Sequence, residues 1–100
     1  MRTAVQEAQG GLRTISGIVN ADGSILRGSD FQVQRAGTGA WQIRFFRPFR
    51  ALRNVTASIG QNYGGFIAVP IAGMDTCTIN TWTPAGAGID LAFSFTATGW

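Results

Sequence analysis

Short apolar runs recur along this chain, separated by glycine-containing turns at intervals of about 8–12 residues, the rhythm of an antiparallel β-sandwich or barrel. The alternation is plainest in two neighbouring runs. Phe31 and Val33 share one face against Gln32 and Gln34, and Trp41, Ile43 and Phe45 share a face against Gln42 and Arg44. The intervening Ala36-Gly37-Thr38-Gly39 predicts that the two runs form a hairpin. Residues 14–19 read as a first strand, Asn20-Ala21-Asp22-Gly23 as a turn, and residues 24–27 as the return. Val55, Ala57 and Ile59 fall in register over residues 54–59, after Pro48 breaks the preceding ladder.

Residues 66–69 predict a short strand ended by Pro70, because proline lacks the ladder donor. Residues 76–82 turn Cys77 and Ile79 one way and threonines the other. The strongest alternation covers residues 89–97, with Ile89, Leu91, Phe93, Phe95 and Ala97 inward, and predicts a central strand. Residues 60–65 and 83–88 read as loops. The expected fold is all-β, a jelly-roll-like antiparallel β-sandwich of about eight strands in two packed sheets. Its expected core is Phe31, Val33, Trp41, Ile43, Val55, Ile79, Leu91, Phe93 and Phe95. Helical periodicity is confined to a turn or two before Gly10-Gly11, so the chain divides into an N-terminal arm (1–13) and a sandwich knob (14–100).

A length of 100 residues gives one domain with a core large enough to need neither disulfide nor metal. One cysteine and no histidine exclude an internal disulfide, a Cys/His zinc site and any mechanism with an imidazole base. The eight cationic residues are all arginine and exceed the acidic ones by three. With only 13% of residues charged, that excess comes from a few arginines and not from the basic coat of a strong nucleic-acid binder. The N-terminus has no apolar signal-peptide core, and no apolar run is long enough to span a membrane, so neither secretion nor membrane association is expected.

Candidate chemistry reduces to turns and core. Asp75 with Asp90 would be the carboxylate pair of a glycosidase, but aspartates at turns and strand starts serve local hydrogen bonding. Asn20-x-Asp22-x-Ser24 has the start of a calcium loop, yet Phe31 stands where the bidentate glutamate belongs. Cys77 reads as a buried, inert thiol. Asn54-Val55-Thr56 is a formal glycosylation sequon without a secretory context. No catalytic residue, metal or cofactor is expected.

The run Gly17-x-Val19-x-x-Asp22-Gly23, then Gly28-x-x-Phe31-x-Val33-x-Arg35-x-Gly37-x-Gly39-x-Trp41-x-Ile43-x-Phe45, then Pro48-Phe49 and Asp90-x-Ala92-Phe93-Ser94-Phe95, resembles the β-sandwich knob of bacteriophage tail fibres, head fibres and collagen-like phage proteins. The resemblance covers roughly residues 15–99. It implies a homotrimer of the tumour-necrosis-factor and complement type that belongs to a virion, made in the host cytoplasm and partnered by other capsid or tail proteins. No fibre shaft precedes the knob in this sequence, so decoration of the particle through the arm is expected, with Arg2, Gln6, Glu7 and Arg13 as anchoring residues. The segment 44–53 interleaves arginine with phenylalanine, and Arg44, Arg47, Phe49, Arg50 and Arg53 are the expected interface patch. Gln61, Asn62 and Tyr63 are the candidate receptor loop, suited to a cell-surface carbohydrate. Phe46, Phe49, Phe66, Trp82 and Trp100 exceed what one small core needs and are expected at subunit interfaces. The alternative reading is an OB-like nucleic-acid-binding module that uses the arginines of 44–53 for phosphates and its aromatics for bases.

Overall fold

A computed structural model describes residues 11–100, and the elements it contains there are eight strands. They are β1 (Arg13–Val19), β2 (Ile25–Gly28), β3 (Phe31–Gly37), β4 (Ala40–Phe45), β5 (Leu52–Ile59), β6 (Phe66–Ala72), β7 (Thr76–Trp82) and β8 (Phe93–Gly99). Two four-stranded antiparallel sheets, ordered β2-β1-β8-β5 and β3-β4-β7-β6, make the expected sandwich. β1–β2, β3–β4 and β6–β7 are hairpins, and β8 lies between β1 and β5 as the predicted central strand.

Period-two patterning decides which face each strand buries. Phe31, Trp41, Ile43, Phe45, Cys77 and Ile79 of one sheet close over Ile15, Val19, Phe93, Phe95 and Ala97 of the other. Phe31 meets Phe95 edge to face at 4.8 Å, the arrangement that aromatic quadrupoles favour. Gly17 on β1 makes room for this pair, because a Cβ there would enter the Phe31 ring. Val33 and Val55 sit half-buried against this core. The chain passes from β2 to β3 within two residues by left-handed backbone at Gly28 (φ 104°) and Asp30 (φ 71°), a conformation that glycine and aspartate tolerate.

Three expected boundaries shift. β6 continues through Pro70, because it is an edge strand with a bulge between Ala68 and Ile71, where a missing donor breaks no ladder bond. β8 begins at Phe93 rather than Ile89. Asp90 accepts the Gly39 N–H at 2.7 Å and Thr81 Oγ1 donates to the Ile89 carbonyl, so residues 89 and 90 are held to the other sheet, and the chain rejoins its own sheet at Ala92, whose carbonyl accepts the Gly60 N–H at 2.7 Å. β1 begins at Arg13, one residue before the expected strand start at Thr14.

Candidate functional site

Pro48 stops β4 from extending its ladder, and residues 46–51 cross the end of the sandwich from β4 to β5. Backbone bonds from three elements fix the crossing. The Phe46 N–H donates to the Asp30 carbonyl at 3.0 Å, the Phe49 N–H to Met74 at 2.8 Å, and the Arg50 and Ala51 N–H groups to Trp100. Phe49 drops into the core and meets Phe45 at 5.2 Å, edge to face. Over its other side lies the Arg13 guanidinium, 4.6 Å from the ring centroid, which donates to the carbonyls of Arg47 (2.6 Å) and Pro48 (3.0 Å).

Two expectations are corrected here. Phe49 is a plug in the chain's own core rather than an interface residue, because the crossover carries it over the open end between the sheets. Arg13 belongs to β1, gives two hydrogen bonds to the crossover and lies over Phe49, so it is part of the knob and not of a free arm. Arg2, Gln6 and Glu7 lie outside the described residues.

Arg44, Arg47, Arg50 and Arg53 all point to solvent. Among the described residues none of these four has a carboxylate within ion-pair distance, and the ion pair found there, Arg35–Asp90 at 3.0 Å, lies at the opposite end. Phe46, 62% exposed, and Met74, 52% exposed, stand among them. The backbone approaching β1 enters at this same end, since Gly11 lies beside Trp100 and the Arg50 guanidinium. Of the three phenylalanines that a base-stacking groove would need, Phe45 and Phe49 are buried.

The other candidates resolve into structure. Asp22 Oδ1 accepts the Ser24 hydroxyl (2.6 Å) and N–H (2.9 Å), which holds its carboxyl below the ordinary aspartate range and makes residues 20–24 a turn. Asp75 and Asp90 sit at opposite ends of β4, about 20 Å apart along the strand, well beyond the spacing of a glycosidase pair. Cys77 is fully buried, and desolvation pushes its thiol up to about 11. No cluster of metal-ligating side chains occurs among the described residues. In the expected receptor loop, Gln61 is a structural latch, its Oε1 accepting the Ala92 N–H at 2.7 Å, while Asn62 and Tyr63 stay exposed.

One surface escaped the sequence reading. The outer face of the β2-β1-β8-β5 sheet stacks Thr14, Thr98 and Asn54, then Ser16, Thr96 and Thr56, in cross-strand rows, with two shallow depressions along it. Only the register between non-consecutive strands reveals those rows. No family model, curated protein or solved structure matches this chain.

Proposed function

We propose that the chain is a bacteriophage virion structural protein, a non-enzymatic homotrimeric β-sandwich knob that decorates the particle through its arginine-bearing end. The observation that carries this reading is a coincidence in space. Four exposed arginines without carboxylate partners among the described residues gather at the end of the sandwich where the N-terminal segment enters. Arginine forks pair bidentately with carboxylates, and arginine beside exposed aromatic and methionine side chains is the composition of protein interfaces. Three of the groups that could serve catalysis are engaged in structure: Asp90 by Arg35 and Gly39, Asp22 by Ser24, and Cys77 by burial. The sequence resemblance to phage knobs supports the virion setting, and exposed Asn62 and Tyr63 leave a loop for a host-surface glycan.

The test is co-sedimentation with particles of the phage that encodes the chain. Arg47→Glu/Arg50→Glu/Arg53→Glu should abolish decoration while the knob stays folded, and deleting residues 1–11 should weaken it without changing oligomeric state. A triple variant that decorates at wild-type occupancy would overturn the proposal. Binding of the isolated chain to a single-stranded DNA oligonucleotide, with affinity falling steeply as salt rises, would instead favour the nucleic-acid-binding reading.

A further inference from the structure

We infer that the flank of the sandwich built from the β5 and β6 edges is the surface through which copies of this chain associate. The inference rests on the oligomeric part of the proposed reading and assigns a place to it. Its first support is the distribution of charge. None of the eight arginines lies beyond Arg53, and from residue 54 to residue 100 the charged side chains are Asp75 and Asp90 alone. The fold turns that sequence asymmetry into a lateral one. β8 and β5 form one half of their sheet, β7 and β6 form the corresponding half of the other, and β5 packs against β6 along the flank. Residues 54–74, which supply nearly all of both edge strands, contain no charged side chain.

The second support is exposure. Phe66 (58% exposed) stands opposite Trp82, and Ile71 (63% exposed) opposite Thr78. Sheet edges left in water are normally guarded by charge, and long apolar edges without it aggregate unless covered. Pro70 and the adjacent bulge interrupt the β6 edge, so the cover packs by side chains and does not extend the sheet.

A second copy is the occupant that this chemistry fits. A charged partner would lose water from its ions and find no countercharge along residues 54–74, whereas the same stretch of another copy brings no ion to desolvate, Arg53 at the start of β5 lying at the arginine-bearing end. Apolar, charge-depleted surfaces are characteristic of permanent homo-oligomers. Strands of this length and two sheets about 10 Å apart give a flank of roughly 25 by 20 Å, which with the outward rows of β7 approaches the ~800 Å² per partner of a stable interface. Because the flank runs along the strands, a rotation axis parallel to them sets the arginine-bearing ends side by side on one face of the assembly.

Light scattering on the purified full chain at micromolar concentration tests this. The wild type should give a multiple of 10.6 kDa, and Phe66→Arg/Ile71→Arg should give the monomer mass with the β-sheet circular dichroism unchanged. Leu26→Arg, on the opposite edge strand, should keep the wild-type mass. As an independent check, a thiol placed by Ile71→Cys should react with a maleimide at least tenfold more slowly than one placed by Leu26→Cys when the chain is assembled. A monomeric wild type, a double variant that keeps its mass, or equal labelling rates would each overturn the inference. Particle co-sedimentation reads the other proposal separately: a monomer that still decorates sinks only the flank, and an oligomer that never decorates sinks only the virion role.

Discussion

The two ends of the sandwich treat charge in opposite ways. At the end formed by the β1–β2 and β3–β4 turns, Asp90 joins Arg35 and the Gly39 N–H, and Asp22 accepts two bonds from Ser24. Those charges are consumed in shaping loops. At the other end Arg13 holds down the crossover, while Arg44, Arg47, Arg50 and Arg53 reach solvent with no carboxylate partner among the described residues. Conformation at that end is set instead by an apolar plug, Phe49, and by backbone bonds to Asp30, Met74 and Trp100. The difference separates two jobs for one residue type: ionic groups that build the fold and ionic groups left for a partner.

The largest effect should come from the plug. Phe49→Ala should cost roughly 3–5 kcal/mol in urea unfolding, the range for a buried phenylalanine, whereas Arg47→Ala and Arg50→Ala should stay within about 0.5 kcal/mol. Equal costs would mean that the exposed arginines also hold the end together, and the contrast would fail. At the opposite end Asp90→Ala should cost about 1–3 kcal/mol, because it strands the Gly39 N–H, which lies in a buried residue, and frees Arg35. A value near zero would put that ion pair in the same class as the free arginines.

Cys77 lies between the two ends and gives a smaller effect with a defined sign. Its thiol is raised from 9.0 to about 11 by burial, so from about pH 9 upward the unfolded chain sheds a proton that the folded chain keeps. Stability should therefore decline as pH climbs from 9 towards 11. Urea midpoints at pH 7 and pH 10.5 should differ less in Cys77→Val, and a thiol reagent should leave native Cys77 unmodified. The smallest effect belongs to Asp22, which is fully exposed. Its lowered carboxyl stabilises the turn above the ordinary value of 3.8, and this support is lost as pH falls through the folded value. The Ser24 amide resonance should titrate with a midpoint below 3.8; a midpoint at or above it would remove the hydrogen bond from the account.

What could be read from sequence follows from what repeats locally. The β3–β4 hairpin and the inward faces of β7 and β8 were legible because a two-residue period states burial directly. The start of β8 was not, since Ile89 and Leu91 continue the period while Asp90 ties that stretch to the other sheet; alternation reports burial, not partnership. Pro70 read as a strand end because its permitted place on an edge depends on strand order. Within the candidate site, the clustering of arginines was visible at once. The fates of Arg13 and Phe49 were not, for their partners lie more than thirty residues away in one case and in the gap between two sheets in the other.

The position of β8 also dictates when this protein can fold during its own synthesis. The β3-β4-β7-β6 sheet has all its strands once residue 82 has been made, but in the other sheet β1 and β5 are joined only by β8 at residues 93–99. Until those residues leave the ribosome, the layer opposing Trp41, Ile43, Phe45 and Ile79 lacks Phe93, Phe95 and Ala97, and β5 has no ladder partner. Pairing the first strand with the last makes contacts of long sequence separation, which form slowly. A nascent chain stopped at residue 92 would therefore be a half-sandwich with its inner face open to chaperones and to aggregation.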